Sequence, residues 1–240
     1  MISSWNRAND RLFGEPFGTA FVKLTKGGRI MKRFVLSLLS ALMIFCIAIT
    51  VCAQSVFSDV RDDAWFAADV QYVTENGIFN GTSEDTFSPS APFTRAMFVV
   101  TLGRLHGIEP SAYNWKVLGD VSPDDWYGPY VAWAYDNAIT QSMGNDDFRP
   151  DYNVTREQMA TFIARYLKKY AEKQSENKTF SCDYADKASI SGFAVESIAF
   201  CSEIGILKGD ENGNFRPQDG ITRAEAAAVI ARLQKYLAKD

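Results

Sequence analysis

Phe87-Ser88-Pro89-Ser90-Ala91-Pro92-Phe93-Thr94-Arg95-Ala96-Met97 is a stretch that this chain writes three times. It returns as Phe148-Arg149-Pro150 with Thr155-Arg156-Glu157-Gln158, and as Phe215-Arg216-Pro217 with Thr222-Arg223-Ala224-Glu225. Working outward, Phe57-Ser58-Asp59-Val60 matches Leu118-Gly119-Asp120-Val121 and Tyr184-Ala185-Asp186. Trp65 matches Trp126 and Phe193, and Gly77-Ile78 matches Ala138-Ile139 and Gly205-Ile206. From Trp65 to Leu105 the copies align without a gap, at offsets of 61 and then 67 residues. Such self-similarity marks a repeat protein and must be settled before any element is assigned.

Each unit reads as helix, loop, helix. In the first helix the apolar set Val70, Val73, Ile78 recurs as Val131, Ala134, Ile139 and Ile198, Cys201, Ile206. Steps of three to five place it on one face. Pro129 sits in a first turn, where a missing N–H costs nothing. The loops are rich in Gly, Asn and Asp, as in Gly209-Asp210-Glu211-Asn212-Gly213, and such residues form turns. The second helix starts at the repeated Thr. Thr155 with Gln158 and Thr222 with Glu225 fit a capping box, whereas Met97 removes the reciprocal partner of Thr94. The buried stripe runs Phe98, Leu102, Leu105; Met159, Ile163, Tyr166; Ala226, Ile230, Leu233. About 55 residues bury little core alone. The expected fold is therefore all-α: three helix-loop-helix repeats sharing one core in a pseudo-threefold, trilobed body. The repeats span 55–110, 115–172 and 180–240.

The chain has 240 residues, 47% hydrophobic and 13% aromatic, which suffices for a packed core. Lys32-Arg33, the apolar run Phe34 to Val51 and the small Ala53 describe a secretory signal peptide over 31–53. A membrane anchor, or a lipoprotein cysteine at Cys52 or Cys46, are the rival interpretations. Residues 1–30 lack apolar periodicity and are expected to be a start assigned too early. Cleavage after Ala53 leaves 18 Lys+Arg against 27 Asp+Glu, a formal charge of −9, with no membrane span remaining. An acidic exported chain repels anionic polymers at long range, which argues against nucleic acid as a partner and requires a local cationic site for any anionic ligand.

The repeated arginines Arg95, Arg156 and Arg223 stand at the first position of the second helix. A guanidinium beside free N–H groups at a helix start makes an anion site suited to a carboxylate. The alternative is a structural arginine paired with Glu75, Asp136 or Glu203. A second repeated set, Arg104, Arg165 and Arg232, is expected to cover apolar surface and pair with Asp59, Asp120 or Asp186. Trp65, Trp126 and Phe193 offer faces for sugar rings or else belong to the core, while Phe87, Phe148 and Phe215 are expected in the core. Cys182 and Cys201 form a disulfide or remain two thiols. With His106 alone, no Ser/His/Asp or Cys/His arrangement is available, and no repeated carboxylate pair stands out as acid and base, so the chain does not read as an enzyme. The loop from Asp210 lacks the closing Glu of a calcium loop, Ile221 standing there, and neither metal nor cofactor is called for.

Phe-x-Asp-Val, Trp, Gly-Ile, Gly, Phe-x-Pro and Thr-Arg-Ala-Glu together resemble the S-layer homology domain, in three copies over almost the whole exported chain. The resemblance implies noncovalent attachment to the cell wall or cell surface of a bacterium. The implied partner is a secondary cell-wall polysaccharide bearing pyruvate ketals, held in grooves between neighbouring repeats. It also implies that Arg95, Arg156 and Arg223 bind the ligand, with Trp65 and Trp126 as stacking faces and Gly81 and Gly209 admitting the sugar. Ala138 and Ser142 replace the two glycines in repeat 2, Met97 the Glu in repeat 1 and Phe193 the Trp in repeat 3. The alternative is an envelope structural or protein-interaction module with degenerate grooves, serving an unidentified protein cargo.

Overall fold

The computed structural model describes residues 57–171 and 181–239. The expected leader and signal segment, and the residues 173–179 between the second and third repeats, lie outside these. Six α-helices follow one another: α1 Ala67–Glu75, α2 Arg95–His106, α3 Gly128–Asp136, α4 Arg156–Tyr170, α5 Val195–Glu203 and α6 Arg223–Leu237. Among the described residues there are isolated bridges but no strand, as the all-α expectation requires. None of the described helices is long and apolar enough to cross a membrane.

The capping chemistry settles where the second helices begin. Thr94, Thr155 and Thr222 each accept the N–H three residues on, and the reciprocal bond is made by Gln158 and Glu225. Met97 makes none, as its side chain dictates. Pro129 opens α3. Gly107, at φ +74°, ends α2 in the left-handed conformation that a side chain would resist.

Helix packing crosses the repeat boundaries. α2 of repeat 1 packs on α3 of repeat 2, α4 of repeat 2 on α5 of repeat 3, and α6 of repeat 3 on α1 of repeat 1. The last repeat thus closes onto the first. The backbone repeats the cycle: Phe93 N–H donates to Ile221 O (3.0 Å), Ile221 N–H to Val154 O (3.2 Å), and Val154 N–H to Phe93 O (3.0 Å). All three residues are buried, and one contiguous apolar cluster draws on every repeat. A single repeat could bury neither face of its helices, which is why the unit of sequence is not the unit of packing.

The motif Asp organises the Phe-x-Pro turn. Asp59 Oδ1 and Oδ2 accept the N–H groups of Phe87 (2.8 Å) and Ser88 (2.7 Å). Asp120 does the same for Phe148 and Arg149, and Asp186 for Phe215 and Arg216. The middle residue of each turn has positive φ: Ser88 +56°, Arg149 +60°, Arg216 +59°. A two-pronged acceptor holds a backbone that an L-residue would otherwise leave. Phe87, Phe148 and Phe215 are buried in the core, as expected.

Candidate functional site

The helix-start arginines correct the sequence analysis in one respect. A surface position beside free N–H groups was expected, yet Arg95, Arg156 and Arg223 are only 2%, 8% and 7% exposed. Nor are the helix N–H groups free. Those of Arg223 and Ala224 donate to Ala91 O and Pro89 O, those of Arg95 and Ala96 to Tyr152 O and Pro150 O, and those of Arg156 and Glu157 to Asp219 O and Pro217 O. With the Thr cap on the next donor, the helix end is satisfied by the following repeat, and the predicted anion site at the terminus is consumed by packing.

The guanidinium groups bind the same loops. Arg223 donates from Nε to Phe87 O (2.7 Å) and from Nη2 to Asn80 O (2.8 Å), with its Cζ 4.5 Å from the centre of the Phe87 ring. Arg156 repeats this on Phe215 O (2.7 Å), Lys208 O (2.9 Å) and the Phe215 ring (4.9 Å). Arg95 donates to Phe148 O (2.9 Å) and lies 4.8 Å from the Phe148 ring centre. Its second bond goes to Gln158 Oε1 (3.2 Å). Each arginine therefore clamps its own repeat to the Phe-x-Pro turn of the next, through carbonyls rather than the repeated carboxylates. Burial lowers all three guanidinium pKa values, that of Arg95 to about 10, so they remain charged at neutral pH.

The second arginine set also has other partners than expected. Arg104 and Arg232 reach Ile78 O (3.5 Å) and Ile206 O (3.4 Å), and Arg165 reaches Gln141 Oε1 (3.2 Å). Asp59, Asp120 and Asp186 are occupied by the turn N–H groups instead. Their geometry leaves the arginine heads beside the loop that follows each first helix.

A groove of about 240 Å³ joins parts of all three repeats. It is lined by Arg223 and Arg104, by Phe79, Phe93 and Met97, and by the exposed Trp126 at its rim. Three residues singled out from sequence, Arg223, Trp126 and Gly81, meet there. Trp126 is 59% exposed, Trp65 65% and Phe193 57%, so these aromatics are not core. Gly81 lines the groove and is also needed by its own loop. A Cβ there would meet the Phe57 ring at 2.6 Å and Thr86 O at 2.8 Å, so the space belongs to the loop itself. Gly209 is likewise crowded by the Tyr184 ring at 2.7 Å. Met97, Phe79, Phe93 and Arg104 were not proposed as groove residues. Only Arg104 carried a signal, its repetition, because the others act through a fold that brings neighbouring repeats together.

Cys182 and Cys201 are free thiols, against the disulfide expectation. Cys201 is turned into the α4–α5 interface, its thiol on Ala160 O (3.6 Å), while Cys182 is half-buried. Burial pushes the Cys201 thiol up to about 12. His106, the last residue of α2, lies against Tyr170 (4.0 Å between ring centres) and Trp133 (5.5 Å), with Nδ1 3.3 Å from Tyr166 Oη. Among the described residues no group of acidic, His or Cys side chains is arranged to hold a metal ion.

The model of the S-layer homology domain matches residues 56–97, 118–160 and 183–227. An endoglucanase of Bacillus sp. (strain KSM-635) is 32% identical over 177 residues, 74% of this chain and 18% of the relative. Exoglucanase XynX of Acetivibrio thermocellus is 31% identical over 174 residues, 72% of this chain and 16% of the relative. The S-layer protein of Bacillus thuringiensis subsp. finitimus is 25% identical over 210 residues, 87% of this chain and 25% of the relative. The chain thus spans a quarter or less of the length of each.

Proposed function

Because the chain belongs to the S-layer homology domain family, we propose that it anchors noncovalently to the bacterial cell envelope by holding an anionic, pyruvylated secondary cell-wall polysaccharide between its repeats. Relatives named as an endoglucanase, an exoglucanase and an S-layer protein have this segment in common. What such differently named proteins have in common here is this segment rather than one reaction, which supports a non-catalytic role for this chain.

The observation that carries the reading is the groove with Arg223, Arg104 and Trp126 at its edge. Two guanidinium groups in an otherwise acidic chain make a local cationic spot suited to a carboxylate. An exposed indole beside them supplies a face for a sugar ring. At about 240 Å³ the groove is smaller than pockets that engulf drug-sized ligands. It suits a terminal sugar or a side substituent rather than a length of chain.

Sedimentation of the protein with purified cell wall, before and after removal of its pyruvyl groups, tests this. Binding should be lost with the pyruvyl groups and weakened by Trp126→Ala at unchanged thermal stability. Equal binding to both walls would refute it. The burial of all three arginines favours a second reading, in which they are cement and the exposed aromatics dock an envelope protein. Under that reading Trp126→Ala leaves polysaccharide binding untouched.

A further inference from the structure

The three repeat junctions are not equivalent. We propose that the junction of repeats 1 and 2, centred on Arg95, is closed to ligand and that Phe162 and Gln158 close it; this rests on the groove reading above. Anion capture then falls to the junction of Arg223, whose groove is open.

The bonding of the arginines differs first. Arg223 and Arg156 spend Nε and Nη2 on two carbonyls of the following repeat, Phe87 O with Asn80 O and Phe215 O with Lys208 O. Neither makes a hydrogen bond from Nη1 to another described residue. The carbonyl corresponding to Asn80 and Lys208 belongs to Gln141. Arg95 turns instead to Gln158 Oε1, by way of Nη1 (3.2 Å).

Gln158 stands where repeat 1 has Met97, a groove wall that cannot hydrogen-bond to an arginine. Its Nε2 faces Met143 Sδ at 3.8 Å. Met143 occupies the position of Thr82, another lining residue of the Arg223 groove. One side chain thus reaches from the arginine to the opposite loop, across the span left open in the Arg223 groove. The second arginine is engaged as well, Arg165 holding the Gln141 amide oxygen at 3.2 Å.

The rings are redistributed to match. Phe79 and Phe93, walls of the open groove, become Thr140 and Val154 in repeat 2. The lost volume reappears on α4, where Phe162 replaces Thr101 of repeat 1 and Val229 of repeat 3. The Phe162 ring centre is 5.3 Å from Arg95 Cζ and that of Phe148 4.8 Å, where Arg223 has Phe79 at 5.9 Å and Phe87 at 4.5 Å, so the second ring over Arg95 comes from α4 instead of from the position of Phe79. Phe162 is itself buried and stacked on Phe98 (5.9 Å). An anion reaching Arg95 must displace the Gln158 amide hydrogen bond and the buried Phe162 ring, where the Arg223 groove has Met97 and Thr101.

Indole N–H resonances test the proposal in solution. Trp126 reports the open groove, whose rim it forms. Phe193→Trp places a reporter at the equivalent exposed position beside α4, against which the Gly192–Ala194 turn packs. The probe is a hexosamine glycoside carrying a pyruvate ketal, titrated into the full chain. The Trp126 signal should shift saturably and the F193W signal should stay fixed. Converting the junction to the repeat 1 residues, Gln158→Met with Phe162→Thr, should then make the F193W indole respond. A saturable F193W shift in the otherwise native chain, at an affinity within about tenfold of that at Trp126, overturns the closure and leaves the groove reading standing. A fixed signal at Trp126 overturns the groove reading itself, and the closure with it.

Discussion

Arg223→Ala should cost this protein much of its stability, the reverse of what a helix-start arginine on a surface would do. The side chain is 7% exposed and gives up two hydrogen bonds, to Phe87 O at 2.7 Å and Asn80 O at 2.8 Å, and its place over the Phe87 ring. A hydrogen bond to a charged group is worth about 1.5–3 kcal/mol, and a desolvated cation over a ring about 1–2 kcal/mol. Asn80 lies in the groove, so water recovers part of the loss there, whereas the Phe87 carbonyl lies under the clamp. The net expectation is about 3–5 kcal/mol, a large share of the roughly 5–15 kcal/mol typical of a whole domain. Urea denaturation followed by circular dichroism should show the midpoint falling by about 2 M at a slope near 2 kcal/mol/M. Coupling to Phe87→Leu in a double-mutant cycle should be about 1 kcal/mol. Arg232→Ala, whose hydrogen bond to Ile206 O is long at 3.4 Å, is the control and should cost under about 1 kcal/mol. A loss below about 1 kcal/mol for Arg223→Ala, equal to the control, would refute the clamp. It follows that affinity changes in the arginine variants mean little without their melting curves, which is why the groove is better tested at Trp126.

Asp120→Ala should destabilise by about 2–4 kcal/mol in the same assay, since it strands the N–H groups of Phe148 and Arg149 in a turn with φ +60°. Ala138→Gly should stabilise by about 0.5–1 kcal/mol, because Ala138 is held at φ +56° where repeats 1 and 3 have glycine, relief of strain exceeding the added chain entropy. Native-state alkylation read by intact mass should modify Cys182 while Cys201 reacts only on unfolding, and a mass lower by two hydrogens would reveal a bridge instead. Burial lowers the His106 pKa below 6.5, so above that value the ring is neutral in both states. Below it the unfolded chain takes up a proton that the folded chain resists among Trp133, Tyr166 and Tyr170, so the melting temperature should fall as pH drops through 6.5, and His106→Phe should flatten that segment. Asp186 acts at lower pH: burial would raise its pKa, but the N–H groups of Phe215 and Arg216 outweigh this and hold it below 3.8, so its contribution persists until acid reaches that depressed value.

Local chemistry was legible in the residues alone. The three copies, the helices and their starts and the burial of Phe87, Phe148 and Phe215 all follow from spacing, capping and polarity, which act over a few residues. The thrice-written Thr-Arg likewise announced that the arginine matters. What it does was decided by tertiary structure. Neither the closure of α6 onto α1 nor the ring of Phe93, Val154 and Ile221 can be read from one repeat, because each bond joins residues about 60 or more apart. Once that ring closes, the next repeat's carbonyls fill the helix ends, the arginines become buried clamps, and the motif aspartates are taken by the Phe-x-Pro turns. The exposure of Trp65 and Trp126 has the same origin. An aromatic at a helix start is core or surface according to what packs above it, and that is set by a neighbour whose position no local pattern encodes. The difference between Gln158 and Met97 is plain in the sequence, but its consequence appears only where Arg95 of the preceding repeat arrives at 3.2 Å.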